Sequence, residues 1–375
     1  MPFADRLVAE PQREKSGETG AQRYDYQALW GLTLIFAHHA TGSDYAISFE
    51  FHDDIVLLNS SSDPTNASFY QVKTKSKGHW TLTELTNRKK RKNDPNNGLL
   101  PSHVGKLYSN YAIFPNETVR LAFVSNVPCQ FFDAAATDCD MSDAQPNTLA
   151  ELTTKLQAEY PTASATTVDK LLHFVRADLS LQDSSAHIKG KLVEFVHGQL
   201  GPIEFNPDSV YKTIVEECRL RSKYTGSIRD FDELVRRKSI TKDQVDGWLK
   251  AIELAHSTPP WNEIAIHLDL SDVLSVAELS REWKRYRAVA LDSNDLAVNL
   301  VRDKIRVEID ACSSLSLQLQ ELVAKVYPSV EPFAMAALPL FKSARLKVMI
   351  IYEVFTHDPS GALQAANPQP ANAQL

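Results

Sequence analysis

The chain has 375 residues, 43% hydrophobic and 23% charged, with Lys+Arg 40 against Asp+Glu 47 and a formal net charge of −7. That is globular composition, and at roughly 100–200 residues per domain it predicts two domains or one elaborated domain. The longest apolar stretches, around Phe333–Phe341 and Val348–Phe355, fall far short of the ~20 residues that cross a bilayer, so a membrane-spanning helix is excluded.

Asp5, Glu10 and Glu14 stand among the bases of the first fifteen residues, where a secretory signal would need an apolar core. Cys129, Cys139, Cys218 and Cys312 form no CxxC pair, which argues against a disulfide framework or a zinc knuckle. A cytoplasmic protein with reduced thiols is expected.

Residues 1–15 are polar and aperiodic and read as a flexible arm. From Gly20, Tyr26, Leu29, Trp30, Thr33 and Phe36 recur at three- and four-residue steps, predicting a helix that ends near Gly42. Tyr45–His52 alternates apolar and polar side chains, and Ile55–Leu58 is continuously apolar, as a buried strand is. Asn59–Asn66 turns the chain into a further strand, Ser68–Thr74, which pairs with the preceding one as a hairpin. Lys75–Pro101 reads as a loop, Ser102–Tyr111 as a helix and Thr118–Ser125 as another buried strand.

From Asn147 the character is helical. Leu149, Leu152 and Leu156 make one stripe, Val168, Leu171, Leu172 and Val175 a second, and Ile188, Leu192, Phe195 and Val196 a third. Ser222–Ser227 reads as a hinge and Thr241–Gln244 as a capping box, followed by helices over Asp272–Leu291, Asp295–Ala311 and Leu315–Tyr327. The predicted organisation is an arm over 1–15, an α/β domain over 16–225 with its core at 20–145, a helical assembly domain over 226–355 and a disordered tail over 356–375.

Chemistry concentrates in Glu50-Phe-His-Asp53-Asp54-Ile55 and Gln71-Val72-Lys73. Alternation along a strand projects Gln71 and Lys73 from one face and Val72 from the other. An acid at the mouth of the neighbouring strand can meet both, and Asp54, just before the buried run, is that acid. A carboxylate there must be solvated, paired or holding a metal. The set supplies what phosphodiester hydrolysis requires: Asp54, the Gln71 amide oxygen and the Val72 carbonyl to hold Mg²⁺ or Mn²⁺, and Lys73 to orient water and offset charge on phosphorus. Glu50 and Asp53 are further candidate ligands. Gln27 on the first helix is a candidate to face the site. An ordinary hairpin with polar strand ends is the plain alternative.

The wider pattern adds Tyr26-Gln27, Ser102-x-x-Gly105-Lys106-Leu107 and Phe123-Val124-Ser125-Asn126. Together these motifs resemble the double-stranded-DNA endonuclease domain of CD-NTase-associated protein four, a member of the PD-(D/E)-x-K superfamily in the Mrr-like branch where glutamine replaces the second acid. The superfamily's proline is absent, His52 and Asp53 standing before Asp54. The resemblance spans 16–225. It implies a restriction-endonuclease-like α/β core, a mixed sheet flanked by helices, followed by an all-helical C-terminal region. It also implies a metal-dependent DNA endonuclease of bacterial anti-phage defence, with Asp54, Gln71 and Lys73 catalytic. Stand-alone members of this length imply a homo-oligomer working with a HerA-type hexameric ATPase. The alternative from a different class is a non-catalytic nucleic-acid-binding or scaffold subunit of such a complex.

Between Gln71 and Asn110, nine Lys or Arg face two acids in a chain that is otherwise acidic. Such asymmetry directs a polyanion toward the motif. Lys75, Lys77, Arg88, Lys89, Lys90, Arg91 and Lys92 are the expected DNA-binding set. Trp80 is a candidate to stack on DNA or simply to pack. His38-His39 fits a helix C-terminus better than a metal site. Without a GxxxxGK[ST] or GxGxxG loop, ATP hydrolysis falls to a partner.

Overall fold

The computed structural model describes residues 2–10, 21–90, 98–268, 272–290 and 295–357. The chain divides into two compact units, Met1–Gln199 with Ile214–Gly247 and Leu200–Thr213 with Trp248–Leu375. Along the chain come helices α1 (Phe3–Ala9) and α2 (Ala21–His39) and strands β1 (Ala46–Phe51), β2 (Asp53–Leu58) and β3 (Ala67–Lys73). Then follow α3 (Leu82–Thr86), α4 (His103–Ile113), β4 (Thr118–Ser125), β5 (Asp138–Asp140), α5 (Pro146–Gln157), α6 (Ala165–Leu171) and β6 (Leu172–Arg176). Next are α7 (Ser184–Leu200), α8 (Pro207–Lys223), α9 (Phe231–Lys238), β7 (Ser239–Thr241) and α10 (Lys242–Ser257). The remaining helices are α11 (Trp261–Ala265), α12 (Val273–Val289), α13 (Leu296–Asp310), α14 (Leu319–Ala337) and α15 (Ser343–Thr356).

The first unit is built on one mixed sheet of order β5-β6-β4-β3-β2-β1-β7. The meander β1-β2-β3 is antiparallel, β3, β4 and β6 are parallel, and β5 and β7 close the two edges antiparallel. With the helical second unit, this is the predicted class: a mixed sheet flanked by helices, then a helical region. Phe51, Phe69, Phe114, Phe123 and Phe174 gather with residues of α4, α5 and α6 in one core cluster. α2 packs close to the hairpin because Gly31 has no side chain: a Cβ there would lie 2.5 Å from the Phe49 ring and 3.0 Å from Ile55.

Several segments differ from the sequence reading. Part of the expected arm is helical: α1 buries Phe3, Ala4 and Leu7 in the core, with Phe3 edge-on to Phe114 at 5.4 Å. Leu172–Arg176, read as part of a helical stripe, is strand β6, since its apolar residues serve either period. The expected loop 75–101 contains α3, opened by a Thr81–Glu84 capping box. Residues 226–247, assigned to the helical region, pack in the sheet unit, where β7 pairs with β1 through Ala46↔Thr241 and Ser48↔Ser239. The Thr241–Gln244 box does cap α10, each backbone N–H donating to the other's side-chain oxygen. α14 runs ten residues past Tyr327 through Pro328 and Pro332. Nearly all of the expected tail, from residue 358, lies outside the described residues.

In the second unit, Trp283, Tyr286, Val301, Ile305, Val330 and Tyr352 form the core. Glu353 is fully buried there, accepting from Arg302 Nε and Arg306 Nε at 2.6 Å each. Among the described residues, no helix is long and apolar enough to cross a membrane.

Candidate active site

The register Ile55↔Tyr70 sets the start of β2 beside the end of β3. Asp54 Oδ2 accepts from the Val72 backbone N–H at 2.7 Å and from Lys73 Nζ at 3.0 Å. Only 2% of Asp54 is exposed, and these charged and backbone donors offset the cost of burying its carboxyl group. Asp53 turns to different partners: Oδ1 accepts from the Asp54 N–H at 3.1 Å and faces Gln71 Nε2 at 3.5 Å, while Oδ2 accepts from Asn110 Nδ2 at 2.9 Å. From α2, Gln27 Nε2 lies 3.5 Å from the Val72 carbonyl. Asp53, Asp54, Gln71, Val72, Lys73 and Gln27 therefore converge.

Gln71 is completely buried, and its Oε1 has no hydrogen-bond partner among the described residues. An unsatisfied buried acceptor costs stability, so its retention points to a role. Asn110 was not singled out from the sequence; the available signal was an amide inside the apolar stripe of a predicted helix. α4 delivers it. Ser102 Oγ caps that helix by accepting from the Gly105 N–H at 2.9 Å, and the Glu159 carboxylate accepts from Ser102 N–H at 3.0 Å and Ser102 Oγ at 2.5 Å. A Cβ on Gly105 would collide with that carboxylate. The Ser102-x-x-Gly105 motif thus seats α4, and α4 seats Asn110 on Asp53.

Glu50 is held differently. Its φ is +50° and that of His52 is +63°, both left-handed without glycine. Phe49 packs against α2, yet Phe51 belongs to the cluster with Phe69 and Phe114. Regular alternation would keep the two on one side, and the left-handed residue between them breaks it. The Glu50 carbonyl accepts from Lys238 Nζ at 2.8 Å.

The expected DNA-binding residues separate. Lys75 Nζ donates to Glu84 at 2.6 Å and to the His79 carbonyl at 2.8 Å, 4.1 Å above the Trp80 ring. That hydrogen bond is the first cause holding the Glu84 carboxyl down at about 2, with the Thr81 N–H next. Trp80 is buried, its Nε1 donating to Ser125 Oγ at 2.8 Å, so it packs. Arg88 is half-buried with Nε 3.7 Å from Glu159, whereas Lys77, Lys89 and Lys90 are exposed. Arg91 and Lys92 lie outside the described residues. All four cysteines are free and buried, and burial pushes the Cys129 thiol up to about 12, far from a reactive thiolate.

Among the described residues no group of three His, Cys, Asp or Glu side chains could hold a metal ion. A cation at this site would rest on Asp54, joined by the Gln71 amide and Val72 main-chain oxygens. These are hard oxygen donors, and the orphaned Gln71 Oε1 lacks only a cation or donor, so the set fits Mg²⁺ or Mn²⁺.

No curated protein and no solved structure matches the chain. Residues 15–222, more than half its length, match the family model described as the Cap4 dsDNA endonuclease domain. The motif strands and the helices that seat them all fall inside this segment, and the chain belongs to the Cap4 dsDNA endonuclease domain family.

Proposed function

We propose that the protein is a metal-dependent endonuclease of PD-(D/E)-x-K type that hydrolyses phosphodiester bonds of double-stranded DNA. The observation that carries this reading is the junction of buried Asp54, part-buried Lys73 and the partnerless buried Gln71 Oε1 at two adjacent strand ends. Asp54, Gln71 Oε1 and the Val72 carbonyl would hold Mg²⁺ or Mn²⁺. When bound, the ion supplies Lewis-acid stabilisation at phosphorus and lowers the pKa of the attacking water. Lys73 Nζ orients that water and offsets charge developing on the phosphate oxygens. Asp53, gripped by Asn110 and Gln71, fixes the strand mouth, and Gln27 supports the Val72 carbonyl. Lys77, Lys89 and Lys90 offer exposed cations to the DNA backbone, so binding weakens as salt rises.

From the family resemblance we further assign the chain to bacterial anti-phage defence, as a cytoplasmic homo-oligomer controlled by a HerA-type ATPase. The test is cleavage of supercoiled plasmid with Mg²⁺ by wild type, Asp54→Ala and Lys73→Ala, with and without the candidate ATPase and ATP. Each substitution is expected to lower cleavage on the order of 10²–10³-fold while DNA binding persists. Equal cutting by wild type and Lys73→Ala would overturn the assignment. DNA binding with no metal-dependent cutting under any condition would favour a scaffold subunit.

A further inference from the structure

Lys238 ends α9, beyond the segment matched by the family. It is a lysine with 3% of its surface exposed, in a helix terminus whose two preceding residues, Arg236 and Arg237, are exposed. A buried ammonium is costly unless its donors are used. Here Nζ donates to the Glu50 carbonyl at 2.8 Å and lies 3.5 Å from the Phe49 carbonyl. Burial draws its pKa down to about 8 against the pull of the Glu50 carboxylate.

The carbonyls it grips belong to the corner where Glu50 and His52 adopt left-handed φ, a conformation that side chains with a Cβ resist. Across that corner Phe51 still pairs with Asp53, and Asp54 follows at once. β7, contiguous with Lys238, is zipped to β1, and Ser239 Oγ meets Ser48 Oγ at 2.7 Å. The lysine therefore reaches the corner from an anchored strand.

We propose that Lys238 is a positioning residue of the nuclease site, whose ammonium holds the Glu50–His52 corner in the left-handed turn that sets Asp53 and Asp54 against Gln71 and Lys73. The inference rests on the functional reading above for its catalytic consequence, and on geometry alone for the corner.

The test uses the full chain with Lys238→Met, which keeps the stem and removes the donors, and Lys238→Arg, which keeps both charge and donors. Amide hydrogen exchange over residues 49–54 is expected to quicken about tenfold or more in Lys238→Met while residues 67–73 stay unchanged. The kcat for plasmid cleavage should fall about ten- to a hundredfold with KM for DNA within about twofold, as misplacement of reacting groups predicts. Mn²⁺ affinity, read by electron paramagnetic resonance without turnover, should weaken about fivefold or more, and Lys238→Arg should restore kcat to within about threefold of wild type. A folded Lys238→Met with unchanged exchange at 49–54 and unchanged kcat overturns the proposal. So does exchange that quickens uniformly with kcat intact, which marks a merely structural residue. If Lys238→Met does not fold, Lys238→Gln, shorter and uncharged, is held to the same thresholds. Should wild type itself not cut DNA, the functional reading fails while the exchange measurement still decides whether Lys238 holds the corner.

Discussion

Each unit of the molecule buries acid, and the two do so in opposite ways. In the helical unit Glu353 is fully enclosed, and each of its oxygens receives a guanidinium from one face of α13, Arg302 and Arg306 being one turn apart. Arg302 is itself finished by the Ala290 carbonyl at 2.8 Å. In the sheet unit Asp53 and Asp54 are as deeply buried, but beside them Gln71 Oε1 is left over and two backbone residues are strained. A carboxylate with both oxygens taken, on regular helices, is what a structural ion cluster looks like. An orphaned acceptor and stored strain among buried carboxylates mark a place where the fold has given up stability to keep a geometry.

The sharpest way to break this contrast is Glu353→Ala. Removing the fully buried carboxylate leaves the part-buried Arg302 and Arg306 without their shared partner, and a loss of about 3 kcal/mol, the low end for a broken buried pair, is expected in chemical denaturation. A loss below about 1 kcal/mol would mean that the cluster is solvated enough to be dispensable. The opposite sign is expected at Gln71→Met, which removes the unsatisfied Oε1 at similar volume and gives up only the long 3.5 Å contact from Nε2 to Asp53. The metal-free protein should gain up to about 1 kcal/mol while plasmid cleavage falls. Stability lost together with activity would place Gln71 among ordinary structural amides.

The smallest effect comes from the exposed end of the scale, at Glu84. Its folded pKa of about 2 lies below its ordinary 4.5, so its contribution is complete above 4.5 and is lost as pH falls through about 2. The difference in denaturation midpoint between wild type and Glu84→Gln, small at pH 6 because the pair is open to solvent, should vanish near pH 2.

Much of the first unit was legible because continuous apolar runs, period-two alternation and Asn/Ser/Pro turn chemistry are local signals. The hairpin of β2 and β3 and the strand β4 could be read that way, and with them the adjacency of Asp54 to Gln71 and Lys73. β6 was hidden because Leu171, Leu172 and Val175 satisfy a helical stripe as readily as a strand. β7 has three residues, too few to carry a period, and its pairing with β1 joins segments nearly two hundred residues apart. Lys238 was illegible for another reason: an Arg-Arg-Lys ending is what any solvated helix C-terminus shows, and nothing local says that the third cation turns inward. Lys75 illustrates the reverse, a lysine that reads as a free cation and is spent on Glu84 and Trp80.

The seventh strand carries a last implication. A fragment ending where the family match ends, at residue 222, would lack β7, and β1 would become the outermost strand with an unpaired row of N–H and C=O groups over Ala46–Ser48. Open edges of this kind recruit other chains. The short strand at the far end of the domain thus works as a guard against sheet-to-sheet self-association, and a nuclease fragment trimmed to its homology would be a sticky one.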